Sequence, residues 1–77
     1  MLSLIGETIR NARLKKGLSM GQLARASGMT TSYLSYIESE QRIPSKKVLI
    51  KISKVLDASL DKLVNSTLET IRKRYYE

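Results

Sequence analysis

Apolar residues recur at helical spacing along most of the 77-residue chain, and no stretch alternates apolar and polar positions as a half-buried strand does. Ile5, Ile9 and Ala12 fall at i, i+4 and i+7 and predict a helix over residues 5–16, with Gly17 as its stop. Leu23 and Ala24 mark a second, shorter helix. Leu34 and Ile37 mark a third, and Gly28 stands between the two. Residues 39–44 carry no period and end on Pro44, so they read as an irregular loop with Ile43 extended. Leu49, Ile52 and Leu56, flanked by Val48 and Val55, predict a helix over 46–56. Leu60, Leu63 and Val64 predict a short fifth helix. Leu68, Ile71 and Tyr75 recur at i, i+3 and i+7 in the tail. Ser19, Thr30, Ser45 and Ser59 stand at predicted helix starts, where a hydroxyl accepts from an orphan backbone N–H. Ser66 followed by Glu69 has the form of a capping box and predicts a new start there. The expected fold class is all-α: a compact five-helix bundle over residues 1–64, with a short sixth helix as an addition. Residues 65–77 then form an amphipathic tail, a candidate dimerisation segment.

The stretch 19–38, SMGQLARASGMTTSYLSYIE, has two unlike faces in its second half. Leu34 and Ile37 share one side of that helix and require burial. Thr31, Ser32, Ser35 and Tyr36 occupy the other side. All four can hydrogen-bond and none carries charge, which suits a surface that reads base edges in a DNA groove. A solvated helix face is the plain alternative for the same four residues.

This stretch resembles the helix-turn-helix of the phage Cro/repressor type, also called the XRE type. IGETIRNARLKKGLS before it is similar to that family's first helix. ESEQRIPSKKVLIKISKVLDASLDKLV after it is similar to the family's R-x-P-S turn and last two helices. The resemblance covers roughly residues 5–64 and implies a lambda-repressor-like bundle that binds operator DNA. It also implies that Arg13 and Glu38 pair, which would lock the reading helix at a fixed angle through a bidentate contact. The family often has Gln where Met20 stands and a small apolar residue where Ser27 stands.

Charge adds to this picture. Fourteen Lys and Arg against seven Asp and Glu leave a net +7, which favours a polyanionic partner. Lys46 and Lys47 lie in the first turn of a predicted helix, where cations oppose the helix dipole unless an anion binds there. With Ser45 and Arg42 they form the expected phosphate-contacting group. Gln22 and Thr30, at the starts of the two central helices, complete that set.

Other classes of function fare poorly. The chain has no His and no Cys, so the usual general base, thiol nucleophile, disulfides and zinc-finger ligands are missing. No cofactor, metal or enzymatic activity is expected. No uncharged run approaches membrane-spanning length, and the apolar opening is too short for a signal peptide. A cytoplasmic protein with no ligand-sensing domain is expected.

The leading expectation is a sequence-specific regulator of double-stranded DNA, a repressor acting as a homodimer on a near-palindromic site. Leu60, Val64, Leu68, Ile71 and Tyr75 are the expected dimer interface, against the alternative that the tail folds back on its own domain. A rival class is a protein-interaction module of the same fold, such as an antitoxin or a regulator antagonist, with a regulatory protein partner. RNA binding ranks last, since the sequence offers no exposed aromatic stacking pairs on a sheet.

Overall fold

The computed structural model describes residues 3–76. They form five helices and, among the described residues, no strand: α1 Ile5–Lys15, α2 Met20–Ala26, α3 Thr31–Glu38, α4 Lys46–Leu56 and α5 Leu60–Tyr76. This is the five-helix, lambda-repressor-like bundle expected from the sequence.

Each predicted hydroxyl start up to residue 59 is a cap in fact. Ser19 Oγ accepts from Gln22 N at 3.0 Å, while Gln22 Oε1 accepts from Ser19 N at 2.8 Å, a reciprocal capping box. Thr30 Oγ1 accepts from Tyr33 N at 3.0 Å and Ser45 Oγ from Val48 N at 3.2 Å. Ser59 Oγ accepts from Lys62 N at 3.3 Å. Gly28 takes φ +69° between α2 and α3. It thereby closes a turn in which Met29 N donates to Ala24 O at 2.9 Å, and a side chain there would be strained.

The apolar stripes meet in one core. Ile5 and Ile9 of α1, Leu23 of α2, Leu34 and Ile37 of α3, Ile52 of α4 and Leu63 of α5 are all fully buried. Leu49 and Leu56 join them, and Leu18, Met20 and Tyr33 pack partly buried against this cluster. α1 packs on α3 and α5, α2 on α3, and α4 on α5 and α2.

The tail departs from expectation. No separate sixth helix begins at Ser66, because α5 runs unbroken for 17 residues through Tyr76. Ser66 is buried in mid-helix and its hydroxyl pairs with Thr8 Oγ1 at 2.8 Å, so it seals the α1–α5 interface and caps nothing. The division at residues 64/65 therefore falls inside one helix.

Candidate nucleic-acid interface

The position of α3 is set by its C-terminal end. Arg13 Nε and Nη2 donate to the two carboxylate oxygens of Glu38 at 2.7 and 2.9 Å. Arg13 and Glu38 are 8% and 3% exposed, so this fork-on-fork pair is shielded from water. Arg13 Nη1 also donates to Leu18 O at 2.9 Å, tying the α1–α2 turn into the same node. The hydrogen bond to Glu38 raises the pKa of the Arg13 guanidinium, with burial opposing and the carboxylate charge adding. The expected pair is thus present and joins α1 to α3.

A second arginine, Arg10, donates from Nη2 to the Glu38 carbonyl at 3.0 Å. Its half-exposed side chain also brings Nε within 3.8 Å of Glu38 Oε1. Sequence reading missed Arg10, although it lies three residues before Arg13 and so shares its side of α1.

With its back buried and its end anchored, α3 presents Thr31, Ser32, Ser35 and Tyr36 to solvent. Tyr36 is 48% exposed. Tyr33, beside them in sequence, is half-buried against the core. The first turns of α2 and α3 adjoin: a Cβ on Gly21 would sit 3.9 Å from both Ser19 Oγ and Thr31 Oγ1. Gln22 and Thr30 therefore belong to one edge of the molecule. Each spends an acceptor on its cap, which leaves the Gln22 amide NH₂ and the Thr30 hydroxyl hydrogen available as donors. Arg42, Ser45, Lys46 and Lys47 are also exposed. Among the described residues neither lysine is ion-paired, so the α4 N-terminus carries two free cations beside its own positive dipole end.

The expected dimer residues divide. Leu60, Val64, Leu68 and Tyr75 are exposed along α5, Leu68 and Tyr75 by 57% and 65%. Ile71 is half-buried. The same helix buries Ser66, Thr67 and Thr70. α5 meets α1 through the Ser66 and Thr70 hydroxyls, while Leu60, Val64, Leu68 and Tyr75 stay exposed in the single chain.

Two helices joined by a left-handed glycine turn, the second anchored at its end and polar on its free face, define a helix-turn-helix domain. The helix-turn-helix family profile matches residues 9–63, and the chain belongs to that family, in its XRE-type branch. It is 44% identical over 68 residues to the HTH-type transcriptional regulator SinR of Bacillus licheniformis. That match covers 87% of this chain and 61% of SinR, so the chain spans about three fifths of that relative's length. The structure of SinR in complex with DNA superimposes with a TM-score of 0.75 at 42% identity, over 79% of this chain and 98% of that one. A complex of SinR with SinI gives 0.77 at 41% identity, over 87% and 66%. These relatives are regulators and not enzymes.

Proposed function

We propose that this chain is a sequence-specific double-stranded DNA-binding transcription regulator, a repressor that acts in the cytoplasm as a homodimer on a near-palindromic operator. The observation that carries this reading is the form of α3: a fully buried back, an end locked by the Arg13–Glu38 fork, and a free face of Thr31, Ser32, Ser35 and Tyr36 without charge. That face suits groove readout, in which hydroxyls bond base edges and methyl or ring edges meet thymine methyls. Gln22, Thr30, Arg42, Ser45, Lys46 and Lys47 flank it as phosphate contacts, which fix register without reading sequence. SinR, solved with DNA, supports the same reading.

The dimer rests on α5. Val64, Leu68, Ile71 and Tyr75 are spaced 4, 3 and 4 apart, the seam of a paired helix. A single recognition helix covers too few base pairs for high specificity, and a two-fold dimer reads two half-sites about one helical turn apart.

Selection of bound duplexes from a random pool, followed by a salt series on the winner, tests the reading. Enrichment of a near-palindromic sequence and a steep loss of affinity with salt are expected. No enrichment and no binding at low salt would overturn it. That result would favour a second reading, which the uncovered α5 stripe supports: a protein-interaction module such as an antitoxin or regulator antagonist. The SinR complex with SinI is a precedent for a protein partner in this family.

A further inference from the structure

The helix-turn-helix family profile ends at residue 63, inside α5, yet the later turns of that helix contact the loop just beyond α3. The meeting point is Glu40, two residues beyond the recognition helix. Its carboxylate accepts from Glu7 N through Oε2 at 3.2 Å, in the first turn of α1. Its other oxygen, Oε1, lies 3.5 Å from Thr70 Oγ1, whose single hydrogen is shared between it and Ser66 O at 3.1 Å, and the Arg74 guanidinium donates to the Glu40 backbone carbonyl. Thr70 Oγ1 in turn accepts from Ile5 N at 2.9 Å. α1 has no side-chain cap from its own N-cap residue, and Thr70 and Glu40 satisfy two of its leading N–H groups, those of Ile5 and Glu7.

Two further features mark this junction as built. Glu40 sits at φ +65°, a conformation that a non-glycine residue keeps only where its surroundings over-determine it. Gly6 lets α1 approach the end of α3 at backbone distance: a Cβ there would overlap the Glu38 carbonyl and the Glu40 carboxylate and lie 2.7 Å from Ile37 O. The loop that leaves α3 is thereby held on one side by α1 and on the other by the last turns of α5.

We infer that Glu40, Thr70 and Arg74 are positioning residues for DNA recognition, through which the C-terminal part of α5 fixes the angle of α3. This rests on the DNA-binding reading above. None of the three needs to touch a base. They act by holding the residue at which the chain leaves the recognition helix, while Arg13 and Arg10 hold Glu38 two residues earlier. The other side of the same α5 turns carries the exposed Leu68 and Tyr75, away from the Glu40 junction.

The test compares the full chain with Glu40→Ala, Arg74→Met and the conservative Glu40→Gln and Arg74→Lys. Each is measured on the duplex that the unaltered chain enriches from a random pool and on a scrambled duplex of equal length. Arg74 is exposed, so its replacements leave the core intact, and helical content and thermal unfolding are followed for all four. Glu40→Ala and Arg74→Met are expected to bind scrambled duplex as the unaltered chain does. Their preference for the selected duplex should fall about tenfold, the size of losing one base contact. The conservative variants should recover most of that preference. Preference kept within about twofold in both disruptive variants, judged against the same base-contact scale, would overturn the inference while leaving the DNA reading standing. Parallel loss of both affinities together with helical signal would also overturn it, by assigning the residues to folding alone. An unaltered chain that enriches no sequence removes the DNA reading itself, and this inference with it.

Discussion

Arg13 meets both carboxylate oxygens of Glu38, at 2.7 and 2.9 Å, across the contact between α1 and the recognition helix. A buried pair of this kind is a weak source of net stability when intact and a strong liability when broken, because the survivor is left charged without a partner. Arg13→Ala and Glu38→Ala should each lower the unfolding free energy by about 3 kcal/mol or more. Arg13→Ala also strips the Leu18 carbonyl of its donor. Arg13→Lys should fall between, since an ammonium cannot reproduce the fork. Urea denaturation measures this, and unchanged midpoints in both alanine variants would show that the pair does not hold α3.

Ser27 is 3% exposed and its hydroxyl has no hydrogen-bond partner among the described residues. A buried hydroxyl without a partner loses its hydration for nothing. Ser27→Ala should stabilise the fold by about 1 kcal/mol, read as a rise in the thermal midpoint. A fall would mean that the hydroxyl has a partner, such as an ordered water.

Two helical glycines should respond to alanine with opposite sign. A Cβ on Gly21 meets only ordinary contacts at 3.9 Å, so Gly21→Ala should gain up to about 1 kcal/mol from helix propensity. A Cβ on Gly6 collides with three acceptor oxygens of the α3 end, two of them backbone carbonyls that cannot rotate away. Gly6→Ala should cost about 2 kcal/mol or more despite the same propensity gain. Calorimetry of the two variants side by side checks the contrast.

Phosphate positioning and base reading separate by salt dependence. Lys46→Ala and Lys47→Ala should weaken binding to every duplex alike and flatten the salt slope by about one unit each. Thr31→Ala and Ser35→Ala should keep the slope and lower the preference for the selected sequence. The reverse pattern would exchange the roles assigned to the two surfaces.

For the dimer, point changes on the exposed stripe are a cleaner probe than truncation after Val64. Truncation would also remove Ser66 and Thr70, which seal α5 to α1. Leu68→Ser with Tyr75→Ser should leave folding intact, because both side chains face solvent in the single chain. Sedimentation should show a dimer for the unaltered chain, at least on DNA, and a monomer for the double variant. An unchanged stoichiometry would place the two-fold contact elsewhere.

The sequence by itself determined the first four helices and the two unlike faces of α3. Helices α1 to α4 were legible because apolar residues at 3.6-residue spacing must share a buried side, and because Ser19, Thr30 and Ser45 cap within three residues of themselves. The uncharged front of α3 was legible for the same reason, and the Arg13–Glu38 pair through the family pattern. What the tertiary structure alone decided lies where polar groups find partners far along the chain. Ser66 and Glu69 carry the signature of a helix start, yet that signature is only an offer of hydrogen bonds. Thr8, 58 residues away, takes up the Ser66 hydroxyl, and α5 continues unbroken. Thr70 and Ile5 are 65 residues apart and Glu40 and Arg74 are 34 apart, so no local pattern announces that they meet. Buried hydroxyls and a carboxylate that caps another helix resemble surface residues until the fold supplies their partners, since burying them is favourable only once those bonds are made.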